Sequence, residues 1–61
     1  MTTADIKRLG LILAIQTEVE GMKAENIFRE ACGSSPAYIE FHFNEKAEEL
    51  REVANKHDDQ L

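Results

Sequence analysis

Residues Phe43, Ala47, Leu50, Ala54, His57 and Leu61 follow one another at alternating spacings of four and three. That rhythm keeps one side chain per turn on a single stripe of a helix, and a stripe implies a neighbouring helix to cover it. The alanines let two backbones approach closely, so this stripe reads as the seam of an intrachain helix pair. The N-terminal half carries more apolar surface than one neighbour can cover. At 100° per residue, Leu11, Ile12, Ile15, Val19 and Met22 share a broad face. A second arc, about a third of a turn away, holds Ile6, Leu9, Leu13, Ala24, Ile27 and Ala31. A third stripe at the same spacing is mostly small: Gly10, Ala14, Thr17, Gly21, Ala24, Phe28. A surface helix usually shows one apolar stripe a little over 100° wide.

Punctuation divides the chain in two. Thr2, with Asp5 three residues later and Ile6 following, has the form of a capping box. No proline interrupts the chain from there to Cys32, after which Gly33-Ser34-Ser35-Pro36 supplies a break. Glycine suits the left-handed position after a helix, serine an N-cap, and proline a first helical turn. The expected organisation is a single domain, residues 1–61: helix 1 over about 3–32, a turn at 33–36, and helix 2 over about 37–60. The alternation in Tyr38-Ile39-Glu40-Phe41-His42-Phe43 would also suit a short strand, but a lone strand has nothing to pair with. The segment is therefore read as helix, with Asn44 as a fallback N-cap. Helices of roughly 40 and 36 Å joined by a short turn favour an antiparallel hairpin. The fold class is all-α, a two-helix hairpin expected to dimerise into a four-helix bundle.

Length sharpens that expectation. A chain of 61 residues buries only about 60% of its unfolded surface, so its core is marginal without a staple. Cys32 is the sole cysteine, which excludes an intrachain disulfide and fits a reducing, cytoplasmic setting. Oligomerisation is the remaining way to enlarge the core. The surface proposed for it comprises Leu9, Ile12, Leu13, Ile15, Val19, Met22 and Ile27, most simply in a symmetric homodimer. A different protein is the alternative occupant of that strip. No membrane role is expected, because the run Leu9–Ile15 is far too short to span a bilayer.

The net charge of −5 lies almost wholly in the second half, where seven acids face three bases. Nucleic-acid affinity depends on phosphate neutralisation, which this balance disfavours. The architecture is similar to that of small dimeric hairpins such as the plasmid Rop bundle. This likeness is one of architecture and transfers no residue. It supplies the alternative function, RNA or DNA binding through the helix 1 bases Lys7, Arg8, Lys23 and Arg29.

Candidate chemistry is sparse. His42 and Glu45 share a helical spacing that metals use, but they would need ligands from facing helices. Cys32 would lie at a helix C-terminus, which opposes thiolate formation. Tyr38, Phe41 and Phe43 read as a plug for the open end of the hairpin, against Phe28. Asp58 and Asp59 oppose the dipole of a helix C-terminus and predict fraying there. No catalytic residue, cofactor or metal is expected. The main reading is a small acidic, non-enzymatic oligomer that acts through protein contacts as a regulator or adaptor.

Overall fold

The computed structural model describes all 61 residues as an antiparallel pair of helices with no strand. Helix α1 spans Thr3–Ala31 and α2 spans Glu40–Asn55, followed by a short 3-10 turn, Asp58–Gln60. The capping box forms at the start of α1. Asp5 N–H donates to Thr2 Oγ1 at 3.1 Å, and Thr2 N–H donates to Asp5 Oδ2 at 3.0 Å. At the other end, Gly33 adopts φ 76°. Its N–H donates to the Glu30 carbonyl, and Ser34 N–H reaches back to the Arg29 carbonyl at 2.8 Å. These two bonds satisfy orphan carbonyls of the last turn in a Schellman arrangement. Gly33→Ala is expected to cost about 1 kcal/mol, read as a lower midpoint in thermal melting, because a Cβ is strained at positive φ. An unchanged midpoint would mean that the turn relaxes freely.

Helix α2 is shorter than the 37–60 expected from sequence. Ser35, Pro36 and Tyr38 lie outside it, and Ile39 is the N-cap, with φ −109° and ψ 178°. Its start is fixed from outside. Asn26 of α1 grips the Tyr38 backbone with both ends of its amide: Tyr38 N–H donates to Oδ1 at 3.0 Å, and Nδ2 donates to the Tyr38 carbonyl at 2.9 Å. That clamp fixes the bend at Ala37 and Tyr38, and with Ile39 extended the helix begins only at Glu40. His42 Nδ1 then accepts from the Ile39 N–H at 3.0 Å, as a glutamate would at this position of a capping box. At the far end α2 stops at Asn55, and the acidic residues expected to fray its last turn form the separate 3-10 turn Asp58–Gln60.

The hairpin is one layer thick. Its extents are 47 × 18 × 11 Å, and its radius of gyration is 14.6 Å against about 10.5 Å for a compact domain of this length. Only Ile15, Met22 and Val53 are buried, so the core is an open seam rather than an enclosed one.

Candidate functional site

The inner seam of α1 runs Arg8, Ile12, Ile15, Val19, Met22, Asn26, again at spacings of four and three. All six are buried or half-buried. Polar residues stand at both ends, and each holds the backbone of the opposite strand of the hairpin. Asn26 is the clamp already described. Arg8 reaches the other end of α2, where Nε donates to the Val53 carbonyl at 3.2 Å. Its Nη2 donates to the Lys56 carbonyl at 2.6 Å and to Asp58 Oδ1 at 3.0 Å. A guanidinium is well suited to a helix C-terminus, where the dipole favours a cation and carbonyls lack partners. Between the ends, Lys46 of α2 pairs with Glu18 of α1 and, at 3.0 Å, with Glu49.

The α2 residues spaced four and three apart differ in burial. Phe43, Ala47 and Leu50 are half-buried, as is Leu61, which lies beyond the helix. Ala54 and His57 are exposed, His57 also outside the helix, and Val53 takes the buried place instead. The stop at Asn55 puts His57 and Leu61 beyond the helix, so the line from Ala54 to Leu61 does not continue as one helix face. The residues expected at an interface between chains divide in two. Ile12, Ile15, Val19 and Met22 lie on the inner stripe, with Ile15 and Met22 buried inside the hairpin itself. Leu9, Leu13 and Ile27 are left outside, Leu13 52% and Ile27 67% exposed. Phe28 and Phe41 are exposed as well, whereas Tyr38 and Phe43 are half-buried. Tyr38 and Phe41 instead flank the His42 ring edge-on, at 5.7 and 5.8 Å between centroids.

What is uncovered forms a second face of α1, about 150° around the helix from the inner seam by 100° steps. Ile6, Leu13 and Ile27 stand on it at heptad spacing, with Glu20 the one charged member of that column. Beside them runs a column of small residues: Gly10, Thr17, Ala24 and Ala31. A Cβ on Gly10 would meet no atom within 4 Å, so packing within the hairpin does not demand a glycine there. A glycine inside a helix nevertheless costs about 1 kcal/mol relative to alanine.

A shallow depression of about 500 Å³ is lined by Met22, Tyr38, His42 and the acids around Lys46. No three His, Cys, Asp or Glu side chains come close enough together to hold a metal ion, and Cys32 is exposed without a disulfide. No helix is long and apolar enough to cross a membrane. All four bases of α1 are engaged: Lys7 with the Leu61 carbonyl, Arg8 as above, Lys23 with Glu20 and Arg29 with Glu25.

Two groups titrate away from their usual range. The Asp5 carboxyl is held below its ordinary 3.8, chiefly by the Thr2 backbone N–H, then by the Thr2 hydroxyl and Arg8. Lys46 is pushed up to about 12 by its hydrogen bonds to Glu18 and then Glu49. A lowered carboxyl stabilises the fold above its unfolded value, and the contribution is lost as pH falls through the folded one. The first turn of α1 is therefore expected to lose amide protection in acid, below about pH 3.8, before the inner seam does. A raised ammonium works in the other sense: the Lys46 contribution is complete below 10.5 and lost as pH rises through about 12. Hydrogen exchange across the acid range tests the first statement, and simultaneous loss everywhere would contradict it.

No family model, curated protein or solved structure matches the chain.

Proposed function

We propose that this chain is a non-enzymatic helical hairpin that acts through protein contacts, as a small regulator or adaptor, and does so as a homodimer joined along the outer face of α1. The observation that carries this reading is that face: a 29-residue helix with one apolar stripe spent on α2 and a second left in water. Each large side chain on it offers roughly 60–120 Å² at the usual worth of burying one. Ile6, Leu13 and Ile27 together therefore offer roughly 180–360 Å², and with the small residues between them the stripe makes an interface smaller than the ~800 Å² per partner of a standard one. The acidic α2 then lies outermost, available to a basic partner surface. An unpaired thiol at Cys32 fits a cytoplasmic setting.

The rival reading, nucleic-acid binding by helix 1 bases, loses support from the engagement of Lys7, Arg8, Lys23 and Arg29 within the hairpin. Sedimentation equilibrium at micromolar concentration is expected to give twice the 6.9 kDa chain mass. A well-folded monomer under those conditions would refute the dimer. Leu13→Asp is expected to abolish association, since it places a charge in the middle of the apolar stripe.

A further inference from the structure

We infer that the second copy lies antiparallel to the first along α1, in the register that sets residue i of one copy opposite residue 37 − i of the other. This rests on the dimer reading above and assigns its geometry. The outer face has two columns of unequal size. Ile6, Leu13, Glu20 and Ile27 make the larger one, three of them with their apolar surface in water. Gly10, Thr17, Ala24 and Ala31 make the smaller one, four residues further along in each case.

A parallel pair would set each column against itself. Ile6, Leu13 and Ile27 would meet their own copies in crowded layers, while Gly10 and Ala24 met theirs across gaps. Glu20 would stand directly opposite Glu20, a like-charge contact in a newly desolvated layer. Reversing one helix exchanges the columns. Ile6 then faces Ala31, Leu13 faces Ala24, and Ile27 faces Gly10, so every apolar layer holds one large and one small side chain. Packing to the density of a protein interior requires such matching. Glu20 meets Thr17, whose hydroxyl already donates to the Leu13 carbonyl at 2.9 Å, and Lys23, 3.3 Å from Glu20 in the same chain, stays beside it as its counter-ion. Sliding the register by one heptad leaves a large residue at one end without a partner, so 37 is the sum that uses every position.

The same geometry explains Gly10, over which the hairpin leaves open space. In this register the Ile27 side chain of the second copy occupies that space. The two α1 helices form the centre of the assembly, and the two α2 helices flank them on opposite sides.

Cysteine pairing tests the arrangement in a Cys32→Ser background. Leu13→Cys and Ala24→Cys are prepared separately, mixed, and oxidised mildly. Residues 13 and 24 of one helix are about 16 Å apart, far beyond the reach of a disulfide, which needs α-carbons within about 7 Å. A covalent dimer is expected from the mixture and not from either variant alone. Self-linking of Leu13→Cys alone would establish the parallel pair and overturn the inference. A protein that sediments as a dimer yet links in no combination would overturn this register while leaving dimerisation standing. Sedimentation of the unmodified chain as a monomer would remove both. Glu20→Leu, an exposed substitution that leaves the inner seam intact, is expected to tighten association at least tenfold. Unchanged association would place Glu20 outside the interface and overturn the register.

Discussion

Replacing Met22 with alanine is expected to bring the hairpin close to unfolding, with the thermal midpoint falling by more than about 10 °C. Met22 is 7% exposed and shares its burial with only Ile15 and Val53. Truncating a buried methionine costs about 2–5 kcal/mol, from lost transfer energy and from the cavity left behind. A domain below 70–80 residues rarely has more than about 3–5 kcal/mol from its core. Each kcal/mol moves the midpoint of so small a domain by roughly 4–8 °C, which sets the scale of the effect. Circular dichroism at 222 nm, followed through a thermal melt, reads it directly. The informative comparison is Leu13→Ala, which removes a similar side chain from the outer face. With Leu13 52% exposed in the hairpin, its loss should act on association and leave a dilute hairpin's midpoint nearly unchanged. Equal effects from the two substitutions would show that α1 does not divide into an inner and an outer face.

That division was partly visible in the sequence. The excess of apolar residues around α1 was plain, as were the capping box at Thr2 and Asp5 and the glycine turn at Gly33. The capping box and the turn are local: each depends on residues within five positions of one another. The assignment of residues to faces was not legible in the same way. Ile15 and Met22 sit only a few tens of degrees from positions that stay exposed, and which arc α2 would take depended on where α2 begins and ends. Both boundaries are set from α1, by Asn26 at one end and Arg8 at the other. Nothing in residues 35–40 announces the start, for which Ser35-Pro36 argues a different place, and at the other end Asp58 and Asp59 signal a weak last turn without fixing the stop at Asn55. A signal did exist on α1. Arg8 and Asn26 fall in register with Ile12, Ile15, Val19 and Met22, and a polar residue at each end of an apolar seam has the reach to clasp a neighbouring backbone. The same shift moved the buried position near the end of α2 from Ala54 to Val53.

Arg8 carries the second large effect. Arg8→Ala is expected to release the segment from Val53 to Leu61 and to cost about 1.5–3 kcal/mol, the usual worth of hydrogen bonds made by a charged group. Its side chain is only 20% exposed and serves two carbonyls and a carboxylate with one planar fork. Removing it leaves the Val53 carbonyl partly buried without that partner, and leaves the negative end of the α2 dipole uncompensated next to Asp58 and Asp59. Arg8→Lys should not restore the structure, since a single ammonium cannot reach two carbonyls and Asp58 in the geometry the guanidinium provides. The distinguishing readout is local. In the Arg8 variants the Lys56, Gln60 and Leu61 amides, which bond to Val53, His57 and Asp58, should exchange rapidly while the Tyr38 amide on Asn26 stays protected. In Met22→Ala, protection should fall along the whole hairpin. If the terminal amides of an Arg8→Ala protein kept their protection, the segment after α2 would be held by Lys7 and Leu61 alone, and the guanidinium would be a passenger. The outcome matters for assembly too. With Arg8 committed to α2, the inner stripe is closed at that end, which leaves the outer face with Ile6, Leu13 and Ile27 as the surface of α1 proposed for a second copy.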